Sequence, residues 1–158
     1  MQTELGGTVV MYTAARGICT VLWGGFLYGL VEILFRGYTH VSMFVLGGVC
    51  FVCIGAVRRL YADASAAKRM LLCAGIVTLL ELVCGLLVNV KLGLAVWDYS
   101  MMPYNVLGQI CVTYTAASCL LAVPAMALDR LFCRAWRRES GTAEKLRAEG
   151  GAVPTAAE

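Results

Sequence analysis

The chain has 158 residues, of which 60% are hydrophobic and 15% charged, and its mean hydropathy is +0.77. A soluble domain carries roughly 45–50% apolar and about 25% charged residues. The composition therefore excludes a soluble enzyme domain, a disordered chain and a disulfide-stapled secreted module, and leaves a multi-pass membrane protein. The net charge of +3 is no footprint of a nucleic-acid binder, because the basic residues flank apolar segments instead of interleaving with exposed aromatics.

A helix needs about 20 mostly apolar residues to cross a hydrocarbon core ~30 Å thick. Residues 1–17 read as an interfacial lead-in. The first fifteen residues have no basic n-region, so an uncleaved first helix is a simpler reading than a cleaved signal peptide. The first span is expected at about 18–35, between Arg16 and Arg36. The second, about 41–57, ends at Arg58 and Arg59; it is short and would stand upright or thin the bilayer locally. The third, about 70–90, runs from Lys68 and Arg69 to Lys91. The fourth, about 106–128, is closed by Asp129 and Arg130. Residues 131–158 read as a basic juxtamembrane helix followed, from about Ser140, by a disordered tail rich in Ala, Glu, Gly and Thr.

Lipid offers no partner to a backbone N–H or C=O, so only helices or a closed barrel can span it. These runs are continuously apolar and too long for barrel strands, which alternate over about 10 residues. The expected fold is an all-α polytopic membrane protein with four transmembrane helices. Arg58, Arg59, Lys68 and Arg69 lie between spans two and three, and Arg130, Arg134, Arg137 and Arg138 follow span four. The other two loops hold only Arg36 and Lys91. The excess of positive charge on one side places both termini and the middle loop in the cytoplasm.

Val45-Leu46-Gly47-Gly48-Val49-Cys50 is similar to Val106-Leu107-Gly108-Gln109-Ile110-Cys111. Both runs would open an even-numbered span, and each odd-numbered span carries one glutamate, Glu32 or Glu81. Two duplicated helical hairpins, parallel about an axis along the membrane normal, explain this. Chance in a chain rich in Val, Leu, Gly and Cys explains it as well.

Glu81 falls near the middle of the third span, where a charged side chain costs roughly 2.5–3.5 kcal/mol on insertion scales. Gly85 and Asn89 follow at spacing four, so the three share one helix face. This stripe reads either as a ligand- or ion-binding wall or as a lock between helices three and four. Tyr28, Glu32 and Arg36 are also four apart; there an i,i+4 pair snorkelling to the headgroups is the simpler reading, worth a few tenths of a kcal/mol. Asn105, Gln109 and Thr113 would form a third ladder, on the fourth span. A polar ladder in a membrane helix must meet other polar groups, and Glu81 and Asn89 belong at comparable depths.

Between spans three and four, Trp97, Tyr99 and Tyr104 suit the headgroup zone. Pro103 and Asn105 suit a helix start, and Asp98 is placed to cap a turn or pair with Lys91. This segment reads as an interface anchor with a cap, or as a lid over an outward-facing polar pocket.

Trp97-Asp98-Tyr99-Ser100, followed by Pro103, Asn105, Gly108 and Gln109 and preceded by Glu81 and Asn89, resembles the bacterial family of ABC-transporter type IV membrane proteins. The specific match covers about residues 79–111, and the four-span layout is compatible over about 18–130. The resemblance implies a transporter permease-like membrane protein in the plasma membrane of a bacterial cell. The chain has no Gly-x-x-x-x-Gly-Lys-Ser/Thr loop, so any ATPase would be a separate subunit.

Seven of the eight cysteines fall inside expected spans and read as small apolar residues. His40 reads as interfacial, not as a metal ligand. Gly25 and Gly29 form a GxxxG that permits close helix contact, within the chain or between protomers of a homo-oligomer. No Ser/His, paired-Asp or metal-ligand arrangement appears, so an enzyme, a metal and a cofactor are not expected.

Two functions fit. The first is a permease-like membrane subunit with an outward-facing pocket for a small solute, in which Glu81 and Asn89 contact the ligand, Asn105 and Gln109 complete the wall, and Trp97 and Asp98 stand at the mouth. Glu32 is secondary. The alternative is a non-transporting envelope or assembly protein in which the same polar residues lock the helices together. A holin-like pore former has only small size and a basic tail in its favour.

Overall fold

The computed structural model describes the backbone of residues 2–150 and the side chains of residues 14–142 other than residue 140. Four helices carry the chain: α1 (Gln2–Arg36), α2 (Val41–Leu60), α3 (Ala66–Gly85) and α4 (Val112–Gly150). Four stretches are long and apolar enough to cross a membrane: Ala14–Arg36, Val41–Leu60, Ala66–Lys91, which is α3 with the helical turn that follows it, and Val112–Glu139. The fold is that of an all-α membrane protein with four such helices.

The helix ends have local causes. His40 is extended before α2, and its Nδ1 accepts from the Ser42 N–H. Ser65 caps α3, its hydroxyl accepting from the Lys68 N–H. These bonds satisfy donors that a helix start leaves free. Gly37, at φ +78°, lets the chain leave α1 in the left-handed region. After Gly85 the third helix widens into a π-helical turn, Leu86–Lys91, closed by a bond from the Leu92 N–H to the Leu87 carbonyl at 3.0 Å.

Packing centres on α2. Met43, Leu46, Cys50, Ile54 and Val57 form its buried row, at the three- and four-residue steps of one helix face. Cys73 and Val77 of α3 and Ala122 of α4 complete the core. Lipid tails are as apolar as these side chains, so close packing, not the hydrophobic effect, must hold the helices. The α1–α2 crossing shows how. A Cβ on Gly25 would lie 2.5 Å from the Phe44 carbonyl oxygen, and one on Gly48 2.5 Å from that of Val21. Gly25, read from sequence as a contact glycine, thus packs within the chain.

Three boundaries differ from the sequence reading. α1 is continuous from Gln2, with no break near residue 17. α4 starts at Val112 instead of about 106, because residues 105–111 form a small hairpin: β1 (Asn105–Val106) pairs antiparallel with β2 (Ile110–Cys111). α4 then stays helical to Gly150, where disorder was expected from about Ser140. The Ala, Glu, Lys, Leu and Arg residues of that stretch are strong helix formers. The tail beyond residue 150 lies outside the described residues. The two similar runs of six also diverge: Val45–Cys50 is helical inside α2, and Val106–Cys111 is the hairpin.

Candidate functional site

The segment from Leu92 to Cys111, joining α3 to α4, is tied down by side-chain bonds to backbone. Asn89, on the π-helical turn, is its hub. Its Oδ1 accepts from the Val96 N–H at 2.7 Å. Its amide N–H groups donate to the Trp97 carbonyl at 2.9 Å and to Gln109 Oε1 at 2.8 Å. Gln109 in turn donates to the Leu107 carbonyl at 3.1 Å, and its own carbonyl accepts from the Trp97 indole N–H at 3.0 Å. Trp97 is 4% exposed, so it is a core residue of the cap and not a headgroup anchor. Gly85 makes this approach feasible: a Cβ there would stand 2.5 Å from Gln109 Oε1 and 3.1 Å from the Trp97 ring.

A second layer shapes the hairpin. Leu107 and Gly108 have φ of +54° and +66°, and the Gln109 N–H bonds back to the Val106 carbonyl at 3.0 Å. Left-handed residues at both central positions match the twist of a tight hairpin. Asn105 Oδ1 accepts from the Gly108 N–H at 3.1 Å, and its amide donates to the Ser100 and Met102 carbonyls. Asp98 accepts from the Ser100 N–H and hydroxyl, which hold its exposed carboxyl below the usual carboxylate range. The Tyr99 N–H reaches the Gly108 carbonyl at 2.7 Å, and its ring stacks on Tyr114 with centroids 4.5 Å apart. Burial, then the Glu81 carboxyl, push the Tyr99 phenol above its ordinary value.

Asn89, Trp97 and Gln109 are therefore in mutual contact, with Asp98 and Asn105 holding the turn beside them. The ladder expected on a fourth helix does not form. Asn105 lies in β1 and Gln109 in the hairpin, both before the helix starts, and Thr113 on α4 is exposed.

Glu81, one turn before Gly85, makes no hydrogen bond to this cluster among the described residues. It is 9% exposed, and its bond is with the Tyr28 hydroxyl, at 3.5 Å. Thr78, one turn earlier, bonds Thr115 of α4 at 3.0 Å. Glu32 does not snorkel. It is 6% exposed, pairs with Arg36 at 2.8 Å and accepts from the Thr39 hydroxyl at 2.6 Å. Arg36 also donates to the Val96 carbonyl at 2.7 Å, so the Glu32–Arg36 pair fastens α1 to the same segment that Asn89 holds.

The sequence reading missed a polar centre at the opposite end of the bundle. Asp129 is 1% exposed. It accepts from Arg58 Nε at 2.6 Å and lies 3.4 Å from Arg59 Nη1, with the Cys133 thiol 3.7 Å away. Arg16 of α1 reaches that sulfur at 3.4 Å, so three helices meet here. A Cβ on Gly55 would lie 2.6 Å from Asp129 Oδ1. The available signal was Gly55 one turn before Arg58 and Arg59, opposite an acid closing the fourth span.

Among the described residues no group of three His, Cys, Asp or Glu side chains is placed to hold a metal ion. The arrangement offers hydrogen-bonding groups and a buried carboxyl beside a phenol. No curated protein and no solved structure matches the chain. The model of the family described as "Putative ABC-transporter type IV" matches residues 7–140, and the chain belongs to that family.

Proposed function

We propose that the chain is a permease-like subunit of a transporter, acting with a separate ATPase, in which Glu81 and Tyr28 form the polar contact for a small solute. One observation carries the reading. Glu81 is buried among apolar helices yet has a single hydrogen bond among the described residues, at the 3.5 Å limit for such a bond. A carboxyl at that depth is costly, and a poorly bonded one is available to a ligand. The bonds of Asn89, Trp97, Asp98, Asn105 and Gln109 to one another suit a fixed cover above it, not an open wall. The Lys and Arg distribution favours both termini in the cytoplasm and the cover on the outer side of a bacterial plasma membrane.

The second reading, an envelope or assembly protein locked by its polar residues, is favoured by how fully Asn89 is bonded. Two measurements separate them. Native mass spectrometry of protein purified in mild detergent should find a co-purifying ATPase. A homo-oligomer carrying only lipid would support the second reading. Glu81→Gln should change solute binding or transport while yield and thermal stability stay at the wild-type level. A variant that loses stability, with no separable defect in activity, would make Glu81 a packing residue.

A further inference from the structure

Arg58, Arg130, Arg134, Arg137 and Arg138, with Cys133, line a cleft of about 700 Å³ at the Asp129 end of the bundle. It is an open groove, large enough to take a phosphate headgroup without enclosing it. Of these five guanidinium groups, Arg58 alone pairs with a carboxylate among the described residues, Asp129, which Arg59 also engages. Among the described residues, Arg130, Arg134, Arg137 and Arg138 pair with no carboxylate. Guanidinium groups match phosphate oxygens in charge and geometry.

The surroundings identify the source of the phosphate. Leu120, Val123, Ala127, Leu131, Arg134 and Arg138 follow at steps of three or four along α4, and all are exposed. One helix face therefore turns from apolar to basic after Leu131, near the level at which Asp129 of α4 meets Arg58 of α2. Only 11% of the α4 membrane window is buried within the chain, against 50% for α2, so this face is open to lipid. An acyl chain fits the upper part of the row and a headgroup phosphate its end.

We propose that this five-arginine cleft binds the phosphate of an anionic phospholipid, with the acyl chains lying along Leu120–Leu131 of α4. The proposal does not depend on transport. The test titrates delipidated full-length protein in nonionic detergent with phosphatidylglycerol or phosphatidylcholine of the same acyl chains, and counts bound lipid by native mass spectrometry.

Wild type should retain phosphatidylglycerol selectively. Arg134→Gln with Arg138→Gln should weaken that retention about 30-fold, the ratio equivalent to ~2 kcal/mol for two cations at a lipid surface. Both arginines are exposed, so the melting temperature of the lipid-free protein should not change. Lys68→Gln with Lys91→Gln removes the same charge outside the cleft and should leave retention intact. Equal retention of the two lipids by wild type would overturn the proposal, as would equal losses in the two double variants. Displacement of the lipid by millimolar inorganic phosphate would assign the cleft to a soluble anion. Retention of a poly-glutamate peptide in preference to lipid would assign it to an acidic protein segment. Either result would also overturn the proposal.

Discussion

Replacing Asn89 with alanine tests the idea that one side chain holds the α3–α4 segment in place. The substitution removes three bonds of 2.7–2.9 Å at once. It leaves the Val96 N–H, the Trp97 carbonyl and Gln109 Oε1 without these partners. A net hydrogen bond is worth about 1 kcal/mol, and an orphaned buried group costs about 1–3 kcal/mol. Val96 and Trp97 are buried, but Asn89 is half-buried, so water can replace part of the loss. The expected cost is roughly 2–3 kcal/mol, placed in the segment and not spread over the bundle. Hydrogen exchange reads this residue by residue: the Val96 amide should exchange about 30–150-fold faster, the factor for that cost, while amides of α2 keep their protection. Asn89→Asp sharpens the test. Its carboxylate still accepts from Val96 but faces two acceptor oxygens, so it should be at least as damaging as alanine. Unchanged exchange at Val96 in Asn89→Ala, or a benign Asn89→Asp, would refute the reasoning.

Two further outcomes follow from the geometry. Asp129→Asn leaves Arg58, whose side chain is 16% exposed, without its counter-charge; since Arg59 is more open, roughly 2–4 kcal/mol of stability should be lost, and an unchanged melting temperature in detergent would show that the pair contributes nothing. The depressed Asp98 carboxyl gives a pH dependence with a definite sign: the Asp98–Ser100 turn keeps its full stabilisation above the unfolded carboxylate value of about 3.9 and loses it as pH falls through the lower folded value. Ser100 amide protection should therefore be flat from about pH 8 to pH 5, and loosening already near pH 5 would contradict the bonding described.

The four apolar helices were legible because span length and continuous hydropathy are set by the bilayer, not by neighbouring residues. The family resemblance was legible because the residues from Trp97 to Gln109 are specific in a chain otherwise built of Leu, Val, Ala and Gly. The hairpin was not, for a physical reason. Val106-Leu107-Gly108 reads as the opening of an apolar helix, yet Leu107 is held at φ +54° by bonds made from Asn105 and Gln109, and side-chain bonds to backbone have no hydropathy signature. The run Val45-Leu46-Gly47-Gly48 shows the converse. There the glycines stay helical, because α1 needs them for close approach. The Asp129 centre escaped notice because an acid at a span end is read as a boundary unless the arginines opposite it are known to be within reach.

The two ends of the polar constellation answer differently to the question of what a lock requires. A side chain whose task is to fix structure gains most when its bonds are short and complete, and Asn89 meets that standard with one acceptor bond and two donor bonds, all under 3 Å. Glu81 does not: its bond to Tyr28 is long, and the threonine pair one turn away already joins α3 to α4. A bundle that needed only a lock at that depth would lose little by replacing the carboxyl with an apolar side chain of similar volume. Holding a poorly bonded carboxyl in an apolar interior has a cost that helix packing does not recover, and this is the ground for proposing Glu81 as the solute contact. The contrast assigns cohesion to Asn89 and leaves Glu81 as the residue on which a transport function should first be tested.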